Sequence, residues 1–207
     1  MPSSPYHEAV WEALPGNLEP SDWQARLRFL LDHVRSGQRV LDLGCGEGRF
    51  ASELQRAGAE VVAVDVAEEP RRRAHSANPT LALSLISAEG EWELPDAAFD
   101  VVWAGEVIEH VADTAGWLSE VRCVLRPGGS LLLSTPAHPP LRRLGLALVP
   151  GAWERHLDPR ADHLRFYTRR SLRGLLTDFR FEQLQIRSLG PPPLPRVLLA
   201  AAVRSRF

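Results

Sequence analysis

The 207-residue sequence is 44% apolar, which is enough to build the core of one domain of ordinary size. Its only cysteines are Cys45 and Cys123, so a disulfide framework is excluded and a reducing compartment is expected. The start of the chain is polar and interrupted by proline, unlike a signal peptide, and no apolar run reaches the roughly 20 residues that span a bilayer. We therefore expect a soluble, cytoplasmic protein.

Charge is distributed unevenly along the chain. Residues 1–140 carry 11 Arg against 21 Asp and Glu, a net of −10, whereas residues 141–207 carry 13 Arg against 5 acids, a net of +8. A basic region of this kind either meets an anionic substrate, RNA or lipid head groups, or is a solvated surface. Composition alone leaves these alternatives open.

The first twenty residues contain four prolines, which block a long helix and indicate an irregular start. A helix is then predicted over residues 21–37, capped by Ser21 and Asp22, because its apolar positions recur at helical spacing. This helix either covers a ligand cleft or packs under a sheet. Tyr6, His7 and Trp11 are candidates for a mobile N-terminal lid.

From residue 39 onward, short apolar runs alternate with helical segments. Strands are predicted at residues 40–43, 60–64, 81–86, 99–104, 130–134 and 181–188, with a turn at 126–129. Helices are predicted at 47–57, from about 70, at 114–125 and at 170–179. Strands that read as continuous apolar runs and alternate with helices are typical of a doubly wound α/β domain with a mostly parallel sheet. In such a fold the ligand lies at the carboxyl ends of the strands.

The turn after the first predicted strand contains Gly44, Gly46 and Gly48. Glycines let a backbone bend sharply and approach a ligand, and the helix start behind them offers free N–H groups. Asp65 follows about twenty residues later, the distance at which a strand–helix–strand unit brings an acid to ribose hydroxyls. Asp42 would repel a pyrophosphate but suits a cationic ligand.

The stretch from Asp42 to Gly48, Asp-Leu-Gly-Cys-Gly-Glu-Gly, resembles the first motif of the class I S-adenosylmethionine-dependent methyltransferases. Later segments resemble the small methyltransferases related to the ubiquinone-biosynthesis O-methyltransferases, and these segments are residues 94–102, 106–111, 124–129 and 134–136. The resemblance covers roughly residues 37–190. It implies a Rossmann-like sheet of six or seven strands behind an N-terminal helix, with S-adenosyl-L-methionine as the cofactor.

The same resemblance implies a set of cofactor-binding residues. They are Asp42, Gly44, Cys45, Gly46, Asp65, Val66, Ala88, Glu89 and Glu106. Asp42 helps to hold the methionine ammonium in that family, and a loop after the third strand supplies an acid to the adenine amino group. Here Ala88 stands at the usual position of that acid, and Glu89 substitutes for it.

Glu106, Glu109 and His110 follow the fourth predicted strand, and His163 lies in a later loop. In the metabolite methyltransferases that this segment resembles, His110 faces the acceptor, where an ordinary pKa of about 6.5 suits a general base. We predict His110 as the catalytic residue and no metal. A similar Glu-x-x-Glu-His with a downstream His binds a divalent metal in the small-RNA 3′-end 2′-O-methyltransferases. A structural role for His110 at a helix start is the third alternative.

The acceptor side is predicted at residues 139–170, an apolar and basic insertion that forms either a lid or a surface helix. Residues 1–36 are the N-terminal lid and helix, 37–190 the methyltransferase domain, and 191–207 a proline-rich spacer with an apolar C-terminal segment. Residues 197–203 either form a seventh strand or, because their alanines favour a helix, leave the sheet without its last strand. Peripheral membrane contact is expected through this segment.

We predict a methyltransferase that acts on a small or medium-sized, partly apolar metabolite at oxygen. Nucleic acid is not expected, because only Trp153, Phe166 and Tyr167 offer aromatic stacking in the basic region. Three alternatives stay open: a metal-dependent RNA 3′-end 2′-O-methyltransferase, a non-catalytic S-adenosylmethionine-binding protein, and a nicotinamide oxidoreductase, which the glycine spacing disfavours.

Overall fold

A computed structural model describes residues 5–16, 19–88, 90–158 and 162–206. Its seven-stranded sheet has the order β3-β2-β1-β4-β5-β7-β6. The strands are β1 Arg39–Leu43, β2 Glu60–Asp65, β3 Ala82–Leu85, β4 Phe99–Gly105, β5 Leu125–Pro136, β6 Phe181–Leu189 and β7 Val197–Arg204. The first five strands pair in parallel, and β7 is antiparallel to both β5 and β6.

Helices cover both faces of this sheet. They are α1 Pro5–Ala13, α2 Trp23–His33, α3 Arg49–Arg56, α4 Glu68–Ala77, α5 Thr114–Val124, α6 Pro140–Leu148, α7 Ala152–His156 and α8 Arg169–Asp178. One core contains residues of α5 and α8, and the other contains residues of α2 and α3. Neighbouring strand residues such as Val40 and Leu41 enter opposite cores, as the two-residue period of a strand requires. The doubly wound, mostly parallel fold is confirmed.

The N-terminal region differs from its prediction. Residues 5–13 form α1 rather than an irregular segment. Pro5 is the first residue of this helix, a position where a missing N–H costs nothing. The following helix, α2, buries Phe29 and Leu30 in the core beneath the sheet. Of the two alternatives for the helix before β1, packing on the sheet is the one observed.

The starts of α8 and α2 are capped in different ways. Thr168 caps α8, and its side chain and that of Ser171 form a reciprocal capping box. Asp22 precedes α2 in a left-handed conformation, φ 53°, and its side chain makes no capping bond. The Asp22 carboxylate instead accepts from the guanidinium of Arg196, with Oδ1 and Nη2 2.6 Å apart. An ion pair with a distant residue has displaced the local bond that the sequence predicts.

The strands β5 and β7 also depart from the expected boundaries. β5 begins at Leu125, so residues 126–129 belong to a strand with a register shift instead of a separate turn. β7 lies between β5 and β6, and Val197–Ala202 are buried. Burial between two neighbouring strands outweighs the helix propensity of alanine here. The side chains of Val197–Ala202 are therefore part of the core of the sheet.

Among the helices that the structure describes, none is both long and apolar enough to cross a lipid bilayer.

Candidate active site

The glycine turn lies at the carboxyl end of β1. Gly44 has φ +73°, and a Cβ atom on it would lie 2.5 Å from Cγ2 of Val107. Both this conformation and this contact require glycine. The N–H groups of Gly44 and Cys45 donate to the carbonyl of Val64 at 2.9 and 3.0 Å. The turn is thus fastened to the end of β2, where the predicted ribose-binding acid lies.

That acid is Asp65, which is only 5% exposed. Its carboxylate accepts from the backbone N–H groups of Gly46 at 2.9 Å, Val66 at 2.8 Å and Ala67 at 3.2 Å. Burial raises the pKa of Asp65, whereas these three N–H groups and the nearby His7 act in the opposite direction. Asp65 therefore ties the glycine turn to the start of α4.

Asp42 has a different position from the one predicted. It is 1% exposed, its carboxylate accepts from the backbone N–H of Ala51, and its Oδ2 accepts no hydrogen bond from any described residue. Burial, followed by the charge of Asp65, raises the pKa of Asp42 to about 7. The side chain supports the start of α3 beneath the turn, and Asp42 does not line the cavity described next.

A cavity of about 590 Å³ opens at the carboxyl ends of β1, β2 and β4. The predicted residues that line it are Gly44, Asp65, Val66, Ala88, Glu106 and His110. Asp42, Cys45 and Gly46 do not line the cavity, and Glu89 is outside the described residues. The cavity thus brings the cofactor residues and the predicted base into one space.

Glu106 is the carboxylate at this wall that fits a methionine ammonium. Its Oε1 is buried and accepts no hydrogen bond from the described part of the chain. A buried carboxylate oxygen without a donor is costly unless a ligand or water supplies one. Glu106 has φ +58°, and its backbone N–H donates to the carbonyl of Ser134 at 3.0 Å. The carboxylates at this wall, Asp65 and Glu106, therefore fit a cofactor that carries ribose hydroxyls and an ammonium group.

Sequence reasoning missed Arg26, which is 2% exposed within α2. Its Nη2 donates to Oγ of Ser134 at 2.8 Å and lies 3.7 Å from Oε1 of Glu106. Burial lowers the pKa of Arg26, and the charges of Glu106 and Glu109 oppose that effect. The one available signal was its place on the apolar stripe of α2, beside Leu30, where an arginine needs a buried partner.

Trp11 was a predicted lid residue, whereas two other aromatic side chains of the cavity, Trp92 and Trp117, were not predicted to belong to the site. Trp92 and Trp117 pack edge to face with ring centroids 6.4 Å apart, and both line the cavity. Trp11 of α1 lies against the glycine turn, with a ring atom 3.0 Å from the position of a Cβ on Gly46. Packing between segments distant in the sequence places these rings at the cavity, so no local motif predicts their positions.

His110 lines the cavity, and Glu109 and His163 lie beside it. Potential ligand atoms of these three side chains all lie within 4.8 Å of one another. Glu109 is fully buried and accepts from Oγ1 of Thr135 at 3.0 Å. Burial, then the charge of Glu106, raises the pKa of Glu109 to about 8. Although the sequence predicts no metal, His163 lies beside His110 in the fold, with ring centroids 4.9 Å apart.

The imidazole of His110 is oriented by the loop that follows α7. Its Nδ1 lies 3.0 Å from the backbone carbonyl of Asp162. Because a carbonyl can only accept, Nδ1 carries the proton, and in the neutral ring Nε2 keeps a lone pair. Burial lowers the pKa of His110, which favours the neutral ring near pH 7.

The insertion after β5 forms α6 and α7. These helices are far more exposed than the glycine turn and Asp65, which form the cofactor side of the cavity. Its exposed apolar side chains are Leu141, Leu144, Leu148, Val149, Trp153 and Leu157. Beneath them, His138 is buried between His156 and Phe166, with ring centroids 5.2 Å from each. Burial lowers the pKa of His138 to about 4.

Comparison with known proteins agrees with this site. A family described as "Methyltransferase domain" matches residues 16–186. A ubiquinone biosynthesis O-methyltransferase of Sodalis glossinidius is 31% identical over 196 residues, which is 90% of this chain and 78% of that protein. A protein of the same name from Cereibacter sphaeroides is 35% identical over 130 residues, and the match covers 61% of this chain and 52% of that protein. The chain thus spans about half the length of the latter relative.

A solved structure extends the likeness to the fold. The S-adenosylmethionine-dependent methyltransferase of Mesorhizobium loti superposes with a TM-score of 0.69 at 24% identity, covering 89% of this chain and 98% of that one. Fold, glycine turn and family match agree. The chain belongs to the class I methyltransferases, and S-adenosylmethionine is its cofactor.

Proposed function

We propose that the protein transfers the methyl group of S-adenosylmethionine to a hydroxyl oxygen of a small or medium-sized, partly apolar metabolite. The observation that carries this proposal is the position of His110. It lines the same cavity as Gly44, Asp65 and Glu106, and its Nδ1 donates to the carbonyl of Asp162 at 3.0 Å. The ring therefore presents a proton-accepting nitrogen from a fixed orientation.

Methyl transfer from S-adenosylmethionine requires few further groups of the protein. A sulfonium methyl group is already activated, so displacement needs mainly alignment of cofactor and acceptor. A hydroxyl acceptor also has to lose its proton, which passes to Nε2 of His110 as the new oxygen–carbon bond forms and the sulfur–carbon bond breaks. Amine and thiol acceptors depend less on such a base, so His110 supports oxygen as the methylated atom.

Two further observations support a partly apolar acceptor. Val107, Val111 and Leu164 line the cavity near His110, and they offer little to a highly polar molecule. The relatives from Sodalis and Cereibacter carry the name ubiquinone biosynthesis O-methyltransferase, which is consistent with an oxygen acceptor that has an apolar portion.

The proposal is tested by supplying methyl-labelled S-adenosylmethionine together with matched hydroxyl, amine and thiol acceptors that share an apolar group. We expect label in the hydroxyl compounds, and a loss of about 10²- to 10⁴-fold in turnover for His110→Ala, the usual contribution of a general base. His75→Ala, on α4 away from the cavity, is the control. Equal labelling of the hydroxyl compounds by the variant and the parent would contradict the proposed role of His110.

A second mechanism is favoured by the proximity of Glu109, His110 and His163. These side chains could hold a divalent cation, since carboxylate and imidazole ligands suit magnesium or manganese. A bound cation would lower the pKa of the acceptor hydroxyl. Turnover that is abolished by a chelator and restored by manganese would select this mechanism over the base. The same assay with an RNA 3′ end as acceptor tests the RNA alternative.

A further inference from the structure

The helix α1 lies over the cofactor cavity although it has little core of its own. Its residues at the cavity are Tyr6, His7, Val10 and Trp11. It is nine residues long and has no buried residue. Isolated helices shorter than about 12–15 residues are marginal in water. The helix therefore depends on the contacts that dock it on the rest of the protein.

The strongest of these contacts is made by Glu8. Its carboxylate accepts from the backbone N–H of Glu68 at 2.7 Å and from that of Glu69 at 2.8 Å. These are the first two residues of α4, whose N–H groups have no partner within the helix and whose helix dipole favours a negative charge. Glu8 thus acts as a cap supplied from another part of the chain.

The same helix start is shared with the cofactor site. Asp65 accepts from the N–H groups of Val66 and Ala67, and Glu8 accepts from the next two. Four successive N–H groups are divided between the proposed ribose-binding carboxylate and the carboxylate of α1. A shift of the carboxylate of Asp65 or of Glu8 therefore changes the hydrogen bonds that the start of α4 makes to the other carboxylate.

The other end of α1 is fastened by Arg73 of α4. Its guanidinium donates to the carbonyls of Trp11 at 3.0 Å and Leu14 at 3.1 Å. Nε of Arg73 also donates to Glu69 at 2.6 Å. A carboxylate at the start of α4 and a cation at the end of α1 both suit the dipoles of these helices. The two helices are therefore held together at both ends.

We propose that Glu8 is a positioning residue that holds α1 closed over the bound cofactor and couples this closure to the occupancy of Asp65. Release of Glu8 frees the start of α4 and lifts Trp11 from the glycine turn, which opens the path by which the product S-adenosylhomocysteine leaves. The proposal rests on the cofactor site at Asp65 and requires no acceptor.

The test compares Glu8→Ala and Glu8→Gln with Glu12→Gln, an exposed acid on the same helix. Dissociation of S-adenosylhomocysteine is followed by tryptophan fluorescence in a stopped-flow experiment. We expect at least a tenfold faster dissociation for Glu8→Ala, a smaller increase for Glu8→Gln, which keeps one acceptor oxygen, and a change below twofold for Glu12→Gln. Chymotryptic cleavage near Tyr6 and Trp11 should be suppressed by S-adenosylhomocysteine in the parent but not in Glu8→Ala.

Dissociation within twofold of the parent in both Glu8 variants overturns the proposal, as does equal protection from chymotrypsin. An effect of Glu12→Gln as large as that of Glu8→Gln would do the same, because it would show a general role of negative charge on α1. Asp65→Asn tests the cofactor site independently of the role of Glu8. If that variant binds S-adenosylhomocysteine like the parent, the cofactor site is assigned wrongly, whatever Glu8 does.

Discussion

The cofactor side and the acceptor side of the cavity are built in different ways. On the cofactor side, Asp42 and Asp65 are buried and accept from backbone N–H groups of residues 46–67. On the acceptor side, His110 takes its partners from a loop 52 residues later, and α6 exposes its leucines to solvent. One side is a local strand–helix–strand unit, whereas the other depends on contacts between distant segments.

This difference fits what the proposed function requires each side to bind. A cofactor with fixed charges and hydroxyls is held by preorganised polar groups, which are cheapest to build from neighbouring backbone N–H groups. An acceptor with an apolar portion is held by surface area, which many side chains can supply. The two sides should therefore respond to substitution in different ways.

The largest effect is expected for Asp65→Ala. The substitution removes the hydrogen bonds to two ribose hydroxyls, each worth about 1.5–3 kcal/mol when one partner is charged. We expect at least a 100-fold weaker affinity for S-adenosylhomocysteine, measured by calorimetry, and a lower unfolding temperature because three backbone N–H groups lose their acceptor. Affinity within twofold of the parent would remove the basis for treating this side as preorganised.

The fold and the centre of the cofactor site were predictable because their signals are local. Gly44 and Asp65 belong to one supersecondary unit whose spacing is dictated by strand and helix lengths. Asp42 shows the limit of this reasoning, because the motif does not reveal that the Asp42 side chain is buried and does not line the cavity. Arg26 looks like any other helical arginine until the sheet brings Ser134 to it. The rest of the site depends on contacts between residues that are distant in the sequence, and these could not be predicted from local patterns.

Asp42 on the cofactor side and Glu109 on the acceptor side are buried carboxylates with raised pKa values. The folded-state pKa values of Asp42 and Glu109 are raised to about 7 and about 8 from 3.8 and 4.5. Folding therefore favours their neutral forms, and the free energy of unfolding is highest below these ordinary values. It falls between pH 3.8 and 7 for Asp42, and between pH 4.5 and 8 for Glu109, because only the unfolded chain ionises there.

Asp42→Asn and Glu109→Gln should each remove part of this fall in the free energy of unfolding as the pH rises. Since one pKa unit corresponds to about 1.4 kcal/mol, the free energy of unfolding of each variant relative to the parent should rise by about 2 kcal/mol from pH 5 to pH 7. Chemical denaturation at the two pH values measures it. If manganese binds at Glu109, adding it should reduce the pH dependence that this residue causes, but not that of Asp42. Parallel pH profiles of variants and parent would contradict the burial argument.

The smallest effect is expected on the acceptor side, for Leu144→Ser in α6. Leu144 is 51% exposed, so its loss should change the free energy of unfolding by no more than about 0.5 kcal/mol. If α6 receives the apolar part of the acceptor, the substitution removes contact area at about 25 cal/mol per Å². The KM for the acceptor should then rise by about three- to tenfold, while the affinity for S-adenosylhomocysteine stays unchanged.

Leu31→Ser is the matched control, because Leu31 is an exposed helical leucine, 36% accessible, on α2. It carries the same change in side chain and helix propensity without a place near the acceptor. A rise in KM confined to Leu144→Ser would show that the acceptor side binds through surface area. A loss of cofactor affinity in Leu144→Ser would instead show that the two sides are coupled through α6, because an exposed leucine outside the cavity has no direct route to the cofactor.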